Sequence, residues 1–133
     1  MSPPLEVRDP ATGEVVARHS VHTAEEVEGR LARAHRAFAS WRDVPLSVRT
    51  DVLLCAAELL SAEAELHARR MATEMGKPLG QGRAEVEKCA WVLRYYAEQA
   101  PSLLAPERVP TEAKRSYVRL DPLGLVLAVM PWN

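Results

Sequence analysis

An asparagine that follows an apolar run is the residue of this sequence with the clearest potential for chemistry. Residues 123–130 are apolar apart from Gly124, which is typical of a strand buried on both faces of a parallel sheet. Pro131 and Trp132 lead from this run to Asn133, which is predicted to lie where a substrate or cofactor binds, because ligands of open α/β sheets bind beyond the carboxyl ends of strands. A neutral carboxamide there can donate an N–H to an oxyanion that forms on a carbonyl. From this pattern alone, an asparagine that merely begins a turn after a strand is still favoured.

The segment 76–82 holds three glycines and a lysine, which invites comparison with a phosphate-binding loop. A Walker loop needs its lysine after the second glycine and before Ser or Thr, whereas Lys77 precedes Pro78. A dinucleotide-binding fingerprint needs Gly or Ala where this sequence has Glu85, and no strand pattern precedes the segment. We therefore interpret 76–82 as a connection between two helices.

Histidines and cysteines are the other candidates for chemistry, and their spacing does not favour it. Cys55 and Cys89 lie in helix-like patterns and are predicted to be reduced thiols that pack as small core residues, as in a cytoplasmic protein. No metal site is predicted, because no Cys or carboxylate lies at zinc-site spacing from the four histidines, His19, His22, His35 and His67.

The composition narrows the classes of partner. The 133 residues include 17 basic and 18 acidic side chains without a charged stripe, so neither nucleic acid nor a membrane surface is a predicted partner. No apolar run approaches membrane-spanning length, and the first residues lack the basic and apolar regions of a signal peptide. We therefore expect a soluble cytoplasmic protein, and 47% hydrophobic residues suffice for a domain core.

Turn and capping signals predict the first elements. Strands are predicted over residues 5–8 and 14–21, joined by a turn with the sequence Asp-Pro-Ala-Thr-Gly. Thr23 and Glu26 have the spacing of a reciprocal capping box at a helix start. A helix is predicted over 24–42, with one apolar stripe formed by Val27, Leu31, Ala34, Phe38 and Trp41.

Three more helices are predicted in the middle of the chain. The second begins near Pro45 and breaks near Ser61, and the third ends at Gly76. The fourth covers about 80–100, is closed by Pro101 and has one apolar face of Val86, Ala90, Leu93 and Ala97. Its aromatic residues are interpreted as packing groups in preference to an interface: Trp91, Tyr95 and Tyr96.

Strand patterns return after Pro106. Strands are predicted over 107–110 and 115–120, and a third over the apolar run 123–130 that precedes Asn133. The order of elements predicts an α/β fold.

Motifs along the whole sequence resemble the N-terminal part of aldehyde dehydrogenases. The motifs are Asp-Pro-Ala-Thr-Gly-Glu at 9–14, Glu-Met-Gly-Lys-Pro at 74–78, Pro-Leu-Gly at 122–124 and Met-Pro-Trp-Asn at 130–133. Further stretches are similar to the succinate-semialdehyde dehydrogenase branch, at 84–91, 94–98 and 115–119.

This resemblance implies oxidation of an aldehyde, succinate semialdehyde by expectation, with NAD or NADP as cofactor. Asn133 corresponds to the family's asparagine whose side-chain amide helps to hold the oxyanion. Met130, Pro131 and Trp132, with Asn133, correspond to the segment that contacts the cofactor.

The resemblance also implies a domain organisation. Residues 1–106 would carry the strands and helices that begin the cofactor-binding domain, and 107–121 the oligomerisation strands of a homodimer or homotetramer. Residues 122–133 would form the first core strand of a Rossmann-like sheet.

The family's nucleophilic cysteine and general-base glutamate have no counterpart in these 133 residues. Neither Cys55 nor Cys89 matches the nucleophile. We therefore expect an incomplete piece of such an enzyme, inactive alone and prone to self-association. The alternative is a non-catalytic interaction module that pairs with a full-length subunit through 107–120.

Overall fold

The computed structural model describes residues 3–130 of the chain. In this range, helices dominate and each end carries a two-stranded antiparallel sheet. The elements in chain order are β1 (Leu5–Arg8), β2 (Val15–His19), α1 (Ala24–Trp41), α2 (Leu46–Ala62), α3 (Ala64–Met75), α4 (Leu79–Leu103), β3 (Glu107–Arg108) and β4 (Tyr117–Val118).

The predicted turn between the first two strands is confirmed. Leu5 pairs with His19 in the antiparallel β1–β2 sheet. The Asp9 side chain accepts a hydrogen bond of 2.8 Å from the Ala11 N–H, and its carbonyl accepts one of 2.7 Å from the Gly13 N–H. Gly13 has a φ of 76°, a conformation that favours glycine.

The capping box of α1 is also confirmed. The Glu26 N–H donates to Thr23 Oγ1 at 3.2 Å, and the Thr23 N–H donates to Glu26 Oε2 at 2.8 Å. This backbone hydrogen bond from Thr23 is the main cause that lowers the pKa of Glu26 below its ordinary value. Yet no residue of α1 is buried, and within its apolar stripe Phe38 is half-buried while the other residues are exposed.

Small side chains form the core where α2 and α3 pack on α4. A Cβ added at Gly82 would lie 3.2 Å from Ala68 Cα, so α3 and α4 approach closely. Arg94 of α4 donates to Ser61 Oγ of α2 at 2.9 Å. Of the face predicted for α4, three residues are buried and Leu93 is half-buried. The buried residues of the whole core are Ala57, Ala64, Ala68, Val86, Ala90 and Ala97.

The prediction that Pro101 closes the fourth helix is wrong. Helix α4 continues to Leu103, and the Leu104 N–H donates to the Ala100 carbonyl at 3.0 Å. Proline removes one backbone donor, and in the last turn this loss leaves the hydrogen bonds of the preceding turns intact. Helix α4 therefore ends beyond the proline.

The predicted strand over 123–130 is not formed. Residues 121–130 have no regular structure. In the described chain, β1 pairs only with β2 and β3 pairs only with β4. A strand needs a hydrogen-bonded neighbour, and none is available here. Leu123 is 96% exposed and Leu127 is 89% exposed. Within the described chain, the prediction that residues 123–130 are buried on both faces is therefore also wrong. Membership of 122–133 in a Rossmann-like sheet stays a prediction.

Strands β3 and β4 are shorter than the predicted 107–110 and 115–120, but their antiparallel pairing is regular. No helix of the described range is both long and apolar enough for a membrane span.

Two motifs from distant parts of the sequence meet at the end of α3. Gly76 ends this helix with a φ of 72°, and its N–H donates to the Ala72 carbonyl at 2.9 Å. A Cβ added at Gly76 would lie 3.0 Å from Pro10 Cγ in the β1–β2 turn. Gly13 has a similar φ, but a Cβ added there would meet no atom within 4 Å.

We expect Gly76→Ala to destabilise the chain more than Gly13→Ala. Both substitutions force alanine into the left-handed region, at about 1–3 kcal/mol. Only the first also drives a methyl group into Pro10, which adds about 1 kcal/mol or more of overpacking. Urea unfolding followed by circular dichroism measures both free energies. Equal losses at the two positions would show that the packing of the two motifs contributes nothing.

Candidate functional site

The predicted site lies at the end of the described chain. Pro131, Trp132 and Asn133 lie outside the described residues, so their roles stay predictions. Met130 is described and is 77% exposed. The structure therefore describes residues 119–130, the segment that leads to the predicted site. A shared cleft and a packing contact connect this segment to the helical part.

An arginine–aspartate pair lies at the start of this segment. Arg119 donates from Nε at 3.1 Å and from Nη2 at 2.9 Å to Asp121 Oδ2, and this hydrogen bonding raises the pKa of Arg119. Arg119 and Asp121 line a surface cleft, and Arg42 and Asp43, which come just after α1, line the same cleft. The side chains of Arg42 and Asp43 lie 3.5 Å apart. Two positive and two negative groups share the cleft, so it presents no net charge to a ligand.

The second contact joins Gly124 to α1. Gly124 has a φ of 112°, and a Cβ added there would lie 3.4 Å from the ring of Phe38. Both the backbone conformation and the nearby ring favour glycine at this position. Phe38 belongs to the predicted apolar stripe of α1, so the stripe supports the segment that leads to Asn133.

The cysteines are not core residues, contrary to the prediction. Cys55 and Cys89 are both exposed free thiols on the helices α2 and α4. Helical periodicity left their face ambiguous, and the core positions beside them belong to Ala57 and Ala90. Neither thiol lines the cleft formed by Arg42, Asp43, Arg119 and Asp121.

Two of the histidines each lie close to a glutamate that is four positions away in sequence. His22 lies 3.7 Å from Glu26, and His67 lies 3.3 Å from Glu63. Within residues 3–130, no three His, Cys, Asp or Glu side chains are grouped as a metal site requires.

The glycine-rich segment 76–82 is the predicted helix connection only over residues 76–78, and its remainder, with Gly80 and Gly82, belongs to α4. Helix α3 ends at Met75 and α4 begins at Leu79. The Lys77 ammonium is paired with the Glu85 carboxylate. A lysine engaged in this way is not available to hold a phosphate.

The aromatic residues of α4 are exposed, which contradicts their interpretation as packing groups. Trp91 stacks on Tyr95 with ring centroids 5.7 Å apart, and Tyr96 lies edge-on to Tyr95 at 5.3 Å. They contact each other along one helix, and the small core side chains hold the helices together without them.

Arg49 was missed by the sequence reasoning. It is the one basic residue of α2, a helix that is otherwise largely apolar. A single arginine in such a helix is the signal that could have drawn attention to it. Its buried Nε has no hydrogen-bond partner in the described part of the chain.

The fold and the motifs together define a class of protein. The chain belongs to the aldehyde dehydrogenase family, whose sequence profile matches residues 2–133. It has the fold of an N-terminal portion of these proteins, as predicted.

Individual relatives and solved structures show which members of the family the chain is similar to. The chain is 45% identical over 135 residues to succinate-semialdehyde dehydrogenase NADP(+) 1 of Mycobacterium tuberculosis, which covers 98% of this chain and 29% of that protein. The succinic semialdehyde dehydrogenase of Streptococcus pyogenes, solved with NADP+, superposes with a TM-score of 0.80 at 28% identity, over 84% of this chain and 25% of that one. Gox0499 superposes with a TM-score of 0.87 at 27% identity, over 92% and 27%. The chain thus spans less than a third of the length of these proteins.

We expect Gly124→Ala to release the segment 121–130 from α1. Alanine disfavours a φ of 112° and its methyl group would press on the Phe38 ring, so the local backbone must move. Limited proteolysis should then cleave within 121–130 several times faster than in the unchanged chain, because cleavage follows local opening.

Gly80→Ala is the control, because a Cβ at Gly80 meets nothing within 4 Å. Cleavage within 121–130 should be unaffected by it. If Gly124→Ala also leaves the cleavage rate unchanged, the contact with Phe38 does not hold the segment.

Proposed function

We propose that the chain forms the N-terminal portion of an NADP-dependent dehydrogenase that oxidises succinate semialdehyde to succinate. The observation that carries this proposal is the 45% identity, over 98% of the chain, to a protein of that name. The motif Met-Pro-Trp-Asn at 130–133 supports it, because it supplies a carboxamide suited to carbonyl chemistry. The comparisons lend no support to the alternative of a non-catalytic interaction module.

In this proposal, Asn133 stabilises charge on the substrate. When a nucleophile adds to the aldehyde carbon, the carbonyl oxygen becomes an oxyanion. The Asn133 amide would donate an N–H to this oxygen without adding charge to the site. Neither Cys55 nor Cys89 is assigned the role of nucleophile, since neither matches the family's nucleophile and they lie on the helices α2 and α4. We assign that role to the part of the polypeptide that the relatives carry beyond the matched portion.

Met130, Pro131 and Trp132 are proposed to contact the nicotinamide nucleotide, which supplies the hydride acceptor when bound. The exposure of Met130 leaves its side chain accessible to such a ligand. NADP is proposed ahead of NAD, because the relative from Mycobacterium tuberculosis carries NADP(+) in its name and the Streptococcus pyogenes enzyme was solved with NADP+.

We also propose that the complete protein is a homo-oligomer in the cytoplasm. The β3–β4 ribbon supports the proposal of a homo-oligomer, because each strand has a free edge in the described chain and Tyr117 and Val118 are exposed. The free thiols of Cys55 and Cys89 support a reducing compartment.

A chimaera tests the role of Asn133. In it, these 133 residues replace the matching portion of the Mycobacterium tuberculosis relative. We expect Asn133→Leu to lower kcat for succinate semialdehyde by about 10²–10³-fold, the loss typical for one oxyanion donor. The KM should change far less, because the interaction strengthens only as charge develops. Initial rates of NADPH formation measure both constants.

Glu58→Gln provides the control in the same chimaera, because Glu58 is an exposed residue of α2. It should leave both constants unchanged. Full turnover of the Asn133→Leu chimaera would refute the proposed role of the amide.

The 133-residue chain by itself should form no NADPH from succinate semialdehyde. The described residues offer no thiol with an adjacent base at the segment 121–130, and a positioned nucleophile is required for this chemistry. The unchanged chimaera, assayed in parallel, shows that the assay detects turnover. Measurable NADPH formation by the isolated chain would place the catalytic groups within these 133 residues.

A further inference from the structure

An open apolar cleft lies where the end of α1 meets α2 and the last turns of α4. Its volume is about 480 Å³. Trp41, Leu53 and Tyr96 contribute apolar walls, and Leu103 and Leu104 lie at its α4 end. Trp41 is 46% and Tyr96 54% exposed, so the cleft is a broad surface feature. An enclosed pocket for a small ligand would bury most of its lining.

The charged group in this cleft is Arg49. Its side chain is half-buried and its Nε is buried without an acceptor in the described part of the chain. No Asp or Glu lines the cleft, and no ion pair joins Arg49 to another described residue. The Thr50 hydroxyl in the same cleft donates to the Ser47 carbonyl at 2.8 Å and is not a hydrogen-bond partner of Arg49 Nε.

A guanidinium in apolar surroundings is unfavourable unless an acceptor is paired with it. The planar guanidinium group fits a carboxylate in particular, because it can donate two parallel hydrogen bonds to the two oxygens. The chemistry of the cleft therefore calls for an apolar surface that carries one carboxylate.

We propose that this cleft is the docking site for a carboxylate-bearing apolar segment of the polypeptide that the relatives carry beyond the portion matched by this chain. The chain spans 29% of the Mycobacterium tuberculosis relative, so a large length of chain is available to cover it. The exposed apolar residues of 123–130 show a second surface that needs the same kind of cover. Arg49 then selects the register of the docked segment through its ion pair.

Co-expression tests this docking directly. The 133-residue chain is produced together with a separate, tagged polypeptide that comprises the remaining portion of the Mycobacterium tuberculosis relative. We expect the tagged polypeptide to capture the unchanged chain, and Arg49→Leu to reduce capture about tenfold or more, the effect of losing one charge-assisted hydrogen bond. Arg49→Lys should retain part of the binding, because it keeps the charge without the planar donor group.

Arg69→Leu is the matched control. Arg69 lies on α3, outside the cleft, in an exposed ion pair with Glu65 at 2.7 Å. Exposed pairs of this kind contribute little, so capture should be unchanged.

Stability measurements separate docking from a purely structural role of Arg49. In the isolated chain, Arg49→Leu should leave the urea midpoint unchanged or raise it, because it removes a buried donor without a partner. In the single-chain chimaera, the same substitution should lower the midpoint, because there it removes the ion pair. A midpoint that falls in the chimaera but not in the isolated chain decides the matter even if the separate polypeptides do not associate.

Three outcomes would overturn the proposal. The first is equal effects of Arg49→Leu in the isolated chain and the chimaera. The second is stoichiometric binding of dodecanoate to the unchanged isolated chain but not to Arg49→Leu, which would assign the cleft to a small amphiphile. The third is a concentration-dependent dimer of the isolated chain that Arg49→Leu abolishes, which would assign it to a second copy. None of these readouts depends on turnover, so they leave the proposed function to its own tests.

Discussion

The close approach of α3 to α4 is the constraint on which the rest of the structure depends. Gly82 and Ala68 bring the two helices so close together that a Cβ added at Gly82 would lie 3.2 Å from Ala68 Cα. The other core positions of α2, α3 and α4 are alanines and one valine, so the helices pack by backbone proximity. Ion pairs extend this packing to the surface, since the hydrogen bond from Arg83 lowers the pKa of Glu65 across the α3–α4 contact. Such a core buries little apolar area for each helix.

A core of small side chains explains where the large apolar residues lie. The stripe of α1, the aromatic residues of α4 and the run 123–130 are exposed in the described chain, although sequence periodicity predicts that they are buried. The periodicity identifies a face that needs cover, but it does not specify whether that cover comes from within the same 133 residues. Under the proposal that this chain is the N-terminal portion of a longer enzyme, the remaining polypeptide supplies that cover, and the Mycobacterium tuberculosis relative is more than three times as long as this chain.

The sequence predicted correctly the features that depend on residues close to one another in the chain. The turn at Asp9, the cap at Thr23 and the helix end at Gly76 were predicted because each depends on residues within a few positions of it. The strand predicted over 123–130 is not formed, because a strand requires hydrogen-bond partners that are distant in sequence. The buried Nε of Arg49 and the exposure of the two cysteines likewise depend on how the helices pack, which a helical period alone does not specify. The candidate site itself was identified by its motif, and residues 131–133 lie outside the described chain.

The segment that leads to Asn133 and the surface that needs cover are physically connected. Gly124 packs on Phe38 of the α1 stripe, and the Arg119–Asp121 pair shares its cleft with Arg42 and Asp43 at the end of the same helix. Beyond Gly124, residues 125–130 are exposed and have no strand partner in the described chain. An oxyanion donor must be held to a fraction of an ångström, and a chain with unpaired backbone groups cannot hold it so. Under the proposals that Asn133 is the oxyanion donor and that further polypeptide covers 123–130, that polypeptide would also orient the carboxamide, so that folding of this portion and assembly of the site would be one event.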